Sequence, residues 1–425
     1  MNYNKQIDTL VQIFAGAAKK EKNYKIGVEI EHFVLDNKLK AVQYNQQPGI
    51  HTILKKLSQK NWQPRYEKNN IIELKKNDNK ISLEPGGQIE LSIKPVKKIS
   101  IADKIYRSFL KDLTPIINNY DYKLMTAGFQ PITGIQNIEL TPKERYRYMH
   151  KYLSRHGELA TSMMRGTASL QVNIDYSGNK DYHKKNYVAA YLVPIIYSFF
   201  DNSPLRENKP VRGGSLRAEI WANTDSDRCG IIENLYQPGS GYRNYAEFLL
   251  QTPPIIIKRE GKLIYTGSKP ATEVVNFCNQ EEVNHFLSMV FPEVRSKRFL
   301  EIRSADSLPY PQSMGYTALI KNIFYSKKNL NYVYKKAMEI NFNTLLELQN
   351  KVRKSNLPQK IQAIGKDIFH RVISSSPATE REYLEYIAPF FRQGTNPRTL
   401  TRQKLKQNDL HRALSWCMVE GESNV

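Results

Sequence analysis

Glutamates, amides and arginines recur on one parity of five alternating runs between residues 29 and 303, residue types suited to holding a divalent cation and phosphate. In KIGVEIEHFVL, Glu29 and Glu31 alternate with Val28 and Ile30, and ISLEPGGQIELSI carries Glu84, Gln88, Glu90 and Ser92 around Gly86-Gly87. SLQVNIDY sets Ser169, Gln171, Asn173 and Asp175 against Leu170, Val172 and Ile174. SLRAEIW sets Arg217 and Glu219 against Leu216, Ala218 and Ile220, and RFLEIRSAD sets Glu301 and Arg303 against Leu300 and Ile302. Carboxylate oxygens are the hard ligands that Mg²⁺ requires, and the guanidinium fork matches phosphate oxygens. Strand side chains point alternately to opposite faces, so five such strands side by side would form one floor of carboxylates and guanidiniums. A single such run is equally well a half-wet strand; five with the same chemistry are not.

Hydrophobic periodicity supplies the elements that must carry this floor. Helices are predicted at the N-terminus and over 50–59, 99–120, 142–157, 186–200 and 242–250, the fourth capped by Thr141 ahead of Pro142 and Glu144. Short strands are predicted at 71–74 and in YKLMTAGFQP. Beyond Ser313 strand signals thin out, and 317–324, 330–348 and 380–391 have helical period. This is an α+β layout, with a core over residues 1–312 and a helical C-terminal region over 313–425 packed on it.

The 425 residues, 40% hydrophobic and 24% charged, have the make-up of a soluble globular protein. The net charge of +22 is diffuse, with pairs such as Lys55-Lys56, Lys97-Lys98 and Lys327-Lys328 far apart, so no dedicated nucleic-acid site is expected. Cys229, Cys278 and Cys417 form neither a disulfide framework nor a zinc motif. The N-terminus shows no apolar signal-peptide core. The most apolar segment, 187–200, is interrupted by Pro194 and shorter than the roughly 20 residues that span a bilayer. A cytoplasmic protein without membrane contact, monomeric or homodimeric, is expected. No P-loop, no strand–GxGxxG–helix, no HExxH and no GxSxG occurs, and PGSGY reads as a turn. His150 and His156 are spaced wrongly for one helical face, and His32 beside Glu31 reads as a polar contact.

These residues carry a resemblance. IGVEIEHF, ISLEPGGQIELS, GFQPITGI with Pro142-Lys143-x-Arg145-Tyr146, MMRGTASLQVNIDYS, FFDNSPL, SLRAEIWANTDSDRCG and FPEVRSKRFLEIRSADSLP run collinearly from about Ile26 to Pro309. Together they resemble the blocks of the plant and proteobacterial type of glutamate–cysteine ligase. The resemblance implies a glutamine-synthetase-like fold, an antiparallel sheet walling a funnel-shaped active site. It implies ATP-dependent joining of L-glutamate to L-cysteine through a γ-glutamyl phosphate, toward glutathione or a related thiol, with magnesium or manganese ions.

Carried over by motif, Glu29, Glu31, Glu84, Glu90 and Glu301 would be metal ligands. Arg303, Arg217 and Glu301 would serve the reaction, Arg217 and Arg303 meeting phosphate or substrate carboxylate. Gln171 and Asn173 would contact substrate or, equally, bond between strands. Asp227 and Arg228 would cover the nucleotide from a loop, and Trp221 would pack in the core. Plainer alternatives stay open: paired strand glutamates for the acids, and salt bridges to the floor for the arginines. Met163-Met164-Arg165-Gly166-Thr167 places its arginine one position away from the plant pattern, and Ser307-Leu308 replace a Gly-Gly pair. Both departures bear on the acceptor amine, so two rivals stand beside the expected activity. One is a γ-glutamyl ligase with another acceptor, the other a non-catalytic basic binding protein.

Overall fold

The computed structural model describes residues 2–419. At its centre is a nine-stranded sheet in which every pairing is antiparallel. In chain order its strands are β1 (Ile26–Leu35), β2 (Gln63–Glu67), β3 (Asn70–Lys76), β4 (Asn79–Leu83), β5 (Ile89–Val96), β6 (Lys123–Met125), β7 (Ser169–Ile174), β8 (Val294–Ser296) and β9 (Leu300–Asp306). Side by side they run β8-β9-β7-β1-β5-β4-β3-β2, with β6 paired to the end of β1. Four of the five alternating runs are therefore neighbours. Their registers set Glu31 opposite Glu90, Glu29 opposite Gln171, and Glu301 opposite Asn173.

The other parity builds the core. Val28, Ile30, Leu91, Val172 and Ile302 are fully buried, under the helices Ile99–Asn118 on β5, Gln312–Tyr325 on β7 and Asn179–Phe199 on β9. Ile99–Asn118 buries Ala102, Tyr106, Phe109, Leu113 and Ile117, the stripe that helical period produces. Asn179–Phe199 is buried on nearly all sides, because the C-terminal helices Lys327–Met338, Phe342–Lys354 and Gln359–Ser375 cover its outer face. One apolar cluster runs from Ile7 through the sheet to Phe391 without a seam near residue 312.

Two local devices aim the floor. At the β4–β5 turn Gly87 adopts φ +85°, and a Cβ on Gly86 would stand 2.2 Å from the Arg165 carbonyl oxygen, so the pair lets two loops touch. Between β7 and β9 the register shifts, Ile302 facing Val172 but Ala305 facing Leu170. The extra residue of this bulge keeps Ala305 in the core and Asp306 on the polar side while Arg303 stays over the floor.

Several expectations are corrected. SLRAEIW is a helix, Leu216–Ala222, capped by the Ser215 hydroxyl, which accepts from the Ala218 N–H at 3.3 Å. Leu216 and Ile220 lie four apart, a helical as well as an alternating spacing, and both enter an apolar cluster with Met149 and Phe291. Arg217 and Glu219 consequently diverge. Thr141 caps nothing: the helix is Glu144–Leu153, and the Thr141 hydroxyl donates to the Glu84 carbonyl at 2.7 Å, tying down the hairpin. The 330–348 helix breaks at Asn341, whose side chain caps Phe342–Lys354, and 380–391 divides into Ala378–Glu385 and Ala388–Gln393. YKLMTAGFQP yields only the short β6.

Ile302 is fully buried between Val172 and Val294 on the flanking strands. Ile302→Ala is expected to cost about 2–5 kcal/mol, read as a lowered urea midpoint by far-UV circular dichroism.

Candidate active site

The polar side of the sheet floors a cavity of about 670 Å³. Its far walls come from the Glu144–Leu153 and Leu216–Ala222 helices and from the hairpin around Lys258 and Leu263. Glu29, Glu31, Glu84, Glu90 and Gln171 all line it.

The acids differ in how firmly they are held. Glu31 is the most constrained, accepting from the Ser169 N–H at 2.8 Å, the Ser169 hydroxyl at 2.8 Å and the Gln171 amide at 3.1 Å. Glu90 accepts from Ser82 at 2.8 Å and Ser92 at 2.9 Å. Glu29 accepts from the Asn173 amide at 2.9 Å. Burial and then the charges of Glu84 and Glu90 push the Glu31 carboxyl up to about 8, while burial and Glu90 push Glu84 up to about 7. Burial, with Glu301 and Glu90 beyond it, raises Glu29 as well. Among the described residues no three His, Cys, Asp or Glu side chains already clasp a common point. Mutual repulsion among Glu31, Glu84 and Glu90 nevertheless suits a divalent cation. Mg²⁺ usually keeps several waters and takes only one or two carboxylates beside substrate phosphates, so it needs no closed cage.

The cations are organised around Glu301. Arg295 grips it with two bonds, 3.0 and 2.6 Å long, Arg303 donates at 2.6 Å, and Lys297 lies 3.0 Å away. Burial alone would raise the Glu301 carboxyl, but these three charges overwhelm it and hold the group far below the usual carboxylate range. Glu301 is fully buried and does not line the cavity. Both oxygens of Glu301, the residue expected to ligate metal and serve the reaction, are taken by cations here. Arg303 Nη1 also donates to Gln171 Oε1 at 2.7 Å, so Glu31, Gln171, Arg303 and Glu301 form one chain of bonds across three strands.

Arg217 reaches the same place from its helix. Its Nη2 donates to the Arg303 carbonyl at 2.8 Å, while Nε and Nη1 are buried without a partner among the described residues. The Trp221 ring packs as expected in the apolar cluster with Met149 and Phe291, and it also lies 5.5 Å from both the Arg217 and Arg303 guanidinium carbons and lines the cavity. Opposite stand Lys143 and Arg145, which motif reading quoted but gave no role. Lys143 donates to the Leu83 carbonyl at 2.7 Å, and burial, partly offset by Glu84, lowers its ammonium to about 8.

Other expected residues lie elsewhere. Arg228 is fully buried, paired to Asp225 at 2.6 Å and bonded to the Pro253 and Met289 carbonyls; it knits loops together rather than covering a nucleotide. Asp227 is exposed and outside the cavity. Glu219 turns outward to Arg353, at 2.8 Å. Asn173 lies beyond the main cavity and orients Glu29. Arg165, one position away from the plant pattern, does not line the main cavity. His32 sits on the core side of β1 against Ile89 and Tyr106.

A glutamate–cysteine ligase family 2 model matches residues 25–353. The chain is 32% identical over 337 residues to glutamate–cysteine ligase A, chloroplastic, of Oryza sativa subsp. indica, covering 77% of this chain and 68% of the rice protein. It is 30% identical over 361 residues to the chloroplastic glutamate–cysteine ligase of Nicotiana tabacum, covering 82% and 69%. Its fold matches the glutamate–cysteine ligase of Francisella tularensis, solved in complex with AMP, with a TM-score of 0.59 at 13% identity over 94% of this chain and 88% of that one. The relatives overturn the expected cytoplasmic location, since both are chloroplastic enzymes. The missing apolar core spoke only against a secretory signal, whereas transit peptides are recognised by other features. Among the described residues no helix is long and apolar enough to cross a membrane.

Raised carboxyl groups carry a pH signature. Between the ordinary glutamate value of about 4.3 and the folded values of about 7 for Glu84 and about 8 for Glu31, the folded state binds more protons than the unfolded one. Through these two groups stability falls as pH rises across that window, opposed below about 6.5 by His32 and His285, which burial lowers to about 4. Urea titrations from pH 5 to 8 on substrate-free protein should show this decline, and Glu84→Gln should flatten it and raise the midpoint at pH 8.

Proposed function

Because the chain belongs to glutamate–cysteine ligase family 2 and is accordingly a glutamate–cysteine ligase, we propose that the cavity over β1, β5, β7 and β9 is where glutamate, cysteine and ATP meet. The observation that carries this reading is Arg217: two buried nitrogens of its guanidinium, Nε and Nη1, have no acceptor among the described residues, and the residue lines the cavity together with Arg303 and three mutually repelling glutamates. A buried unpaired donor costs about 1–3 kcal/mol or more, and an anionic substrate oxygen would relieve it.

In this reading Glu31, Glu84 and Glu90, with Glu29 beside them, hold magnesium, which supplies charge neutralisation for the ATP phosphates. Lys143 and Arg145 approach the phosphates from the far wall. Arg217 and Arg303 fix a carboxylate of glutamate and the transferring phosphoryl group. The γ-carboxylate oxygen of glutamate attacks the γ-phosphorus of ATP, ADP leaves, and the acyl phosphate is then open to the cysteine amine, which forms the amide and expels phosphate. A free carboxylate is a poor acylating agent because its oxygen would leave with a full charge; phosphorylation removes that obstacle. The protein's part is placement and preorganised charge. Glu301 contributes by fixing the directions of Arg295 and Arg303, and Gln171 by joining Arg303 to Glu31.

Phosphate release by the purified protein with glutamate, ATP and magnesium should depend on cysteine within a panel of amines. An equal response to every amine, or none, would defeat the reading. Arg303→Lys should lose about 100-fold or more in kcat, since a point charge cannot satisfy Gln171, Glu301 and substrate together; near-normal turnover would remove Arg303 from the site.

A further inference from the structure

We infer that Arg398, on a C-terminal helix outside the 25–353 span that the family model matches, is a positioning residue for Arg217. The inference rests on the reading that Arg217 meets an anionic substrate.

Arg398 is fully buried at the start of the Pro397–Leu405 helix. Its Nη1 donates to the Gly214 carbonyl at 2.6 Å and its Nη2 to the Gly213 carbonyl at 3.1 Å, while Nε lies 3.2 Å from the Asp201 carboxylate. Its own N–H donates to the Asp201 carbonyl at 2.9 Å. Gly213 and Gly214 immediately precede Ser215, the cap of the helix that carries Arg217 and Trp221. A second C-terminal contact seals the same point. The Ser215 N–H donates to the Val352 carbonyl at 2.9 Å, and a Cβ on Gly214 would stand 1.8 Å from that oxygen. Arg353 holds the helix's outer side through Glu219 at 2.8 Å.

The Leu216–Ala222 helix has only seven residues, too few to hold its own course. Its direction is therefore set where it begins, and three backbone positions there are gripped from the C-terminal region. Asp201 couples the grip to the floor: next to it, the Asn202 N–H and the Ser203 hydroxyl donate to Asp306 at the end of β9, at 2.7 and 2.8 Å. One guanidinium thus references the helix bearing Arg217 to the strand bearing Arg303. Lysine could satisfy one of the carbonyls but not both together with the carboxylate.

A double-mutant cycle in kcat/KM on the full chain tests this, with folding checked by circular dichroism. Arg398→Lys should lower kcat/KM about 100-fold, the scale on which small displacements of a reacting group act. Arg217→Lys should be severely impaired, and the double variant should match Arg217→Lys within about twofold, because a misplaced guanidinium and a missing one are the same defect. If the two losses multiply, or Arg398→Lys retains near-normal activity while Arg217→Lys does not, this inference fails and the site stands. If Arg217→Lys is itself fully active, the reading of the site fails and the inference falls with it. Should Arg398→Lys not fold, the cycle is run with Asn396→Ala, which removes the bond to the Ser198 carbonyl that seats the same helix at 2.9 Å, and the same outcomes decide.

Discussion

The structure turns on the cost of gathering like charges away from water. Glu29, Glu31, Glu84 and Glu90 line one cavity wall, and burial with neighbouring acids pushes Glu29, Glu31 and Glu84 toward neutrality. Such a site survives only if each charge has a countercharge or a bond within reach. Serines and amides from the neighbouring strands serve Glu31, Glu90 and Glu29, while the cationic side has its own acid, Glu301, at its centre. Removing that carboxylate would leave Arg295, Arg303 and Lys297 to repel one another in the interior. Glu301 is thus an organising countercharge for the arginines, in contrast to the acids that face the cavity with capacity to spare.

Antiparallel pairing is the economical way to build this. Adjacent strands bring side chains of one parity within a few ångströms, so residues separated by well over a hundred positions meet without any loop having to find them. Each strand gives its other parity to the core, where Val28, Val172 and Ile302 are fully buried, so a slip in register would expose apolar residues and bury acids. The hydrophobic core therefore polices the geometry of the acidic floor. Arg217 escapes this control because it sits on a short helix, and the C-terminal grip at Gly213 and Gly214 takes its place.

What was legible in the sequence follows the same division. The runs around Glu29, Glu84–Glu90, Gln171 and Glu301 announced strands because their parity is strict, and the helix over Ile99–Asn118 announced itself through its buried stripe. SLRAEIW misled because in seven residues Leu216 and Ile220 fit both periods, and only tertiary packing chooses between them. Arg228 was expected over the nucleotide because it lies beside Asp227 in a polar loop; nothing local shows that it is instead buried, paired to Asp225 and bonded to two carbonyls. Arg295 and Lys297 could have been found, since VRSK precedes the Glu301 strand and places both on one parity. The bulge at Arg303 could not, because an extra strand residue leaves no mark in an alternating pattern that ends there.

Charge connects the site to the whole molecule. A net charge of +22 without a clustered basic patch gave no reason to expect a nucleic-acid partner, and the substrates of this reaction, ATP and glutamate, are themselves anions whose encounter rate a diffuse positive exterior raises. An acidic floor left bare would repel those same anions at the last few ångströms. The walls reconcile the two demands: Lys143 and Arg145 on one side and Arg217 and Arg303 on the other offer anions a landing on either flank of the carboxylates. On the reading proposed above the floor would take a divalent cation arriving with the nucleotide, so acids and bases in one cavity would serve different partners and need not neutralise each other.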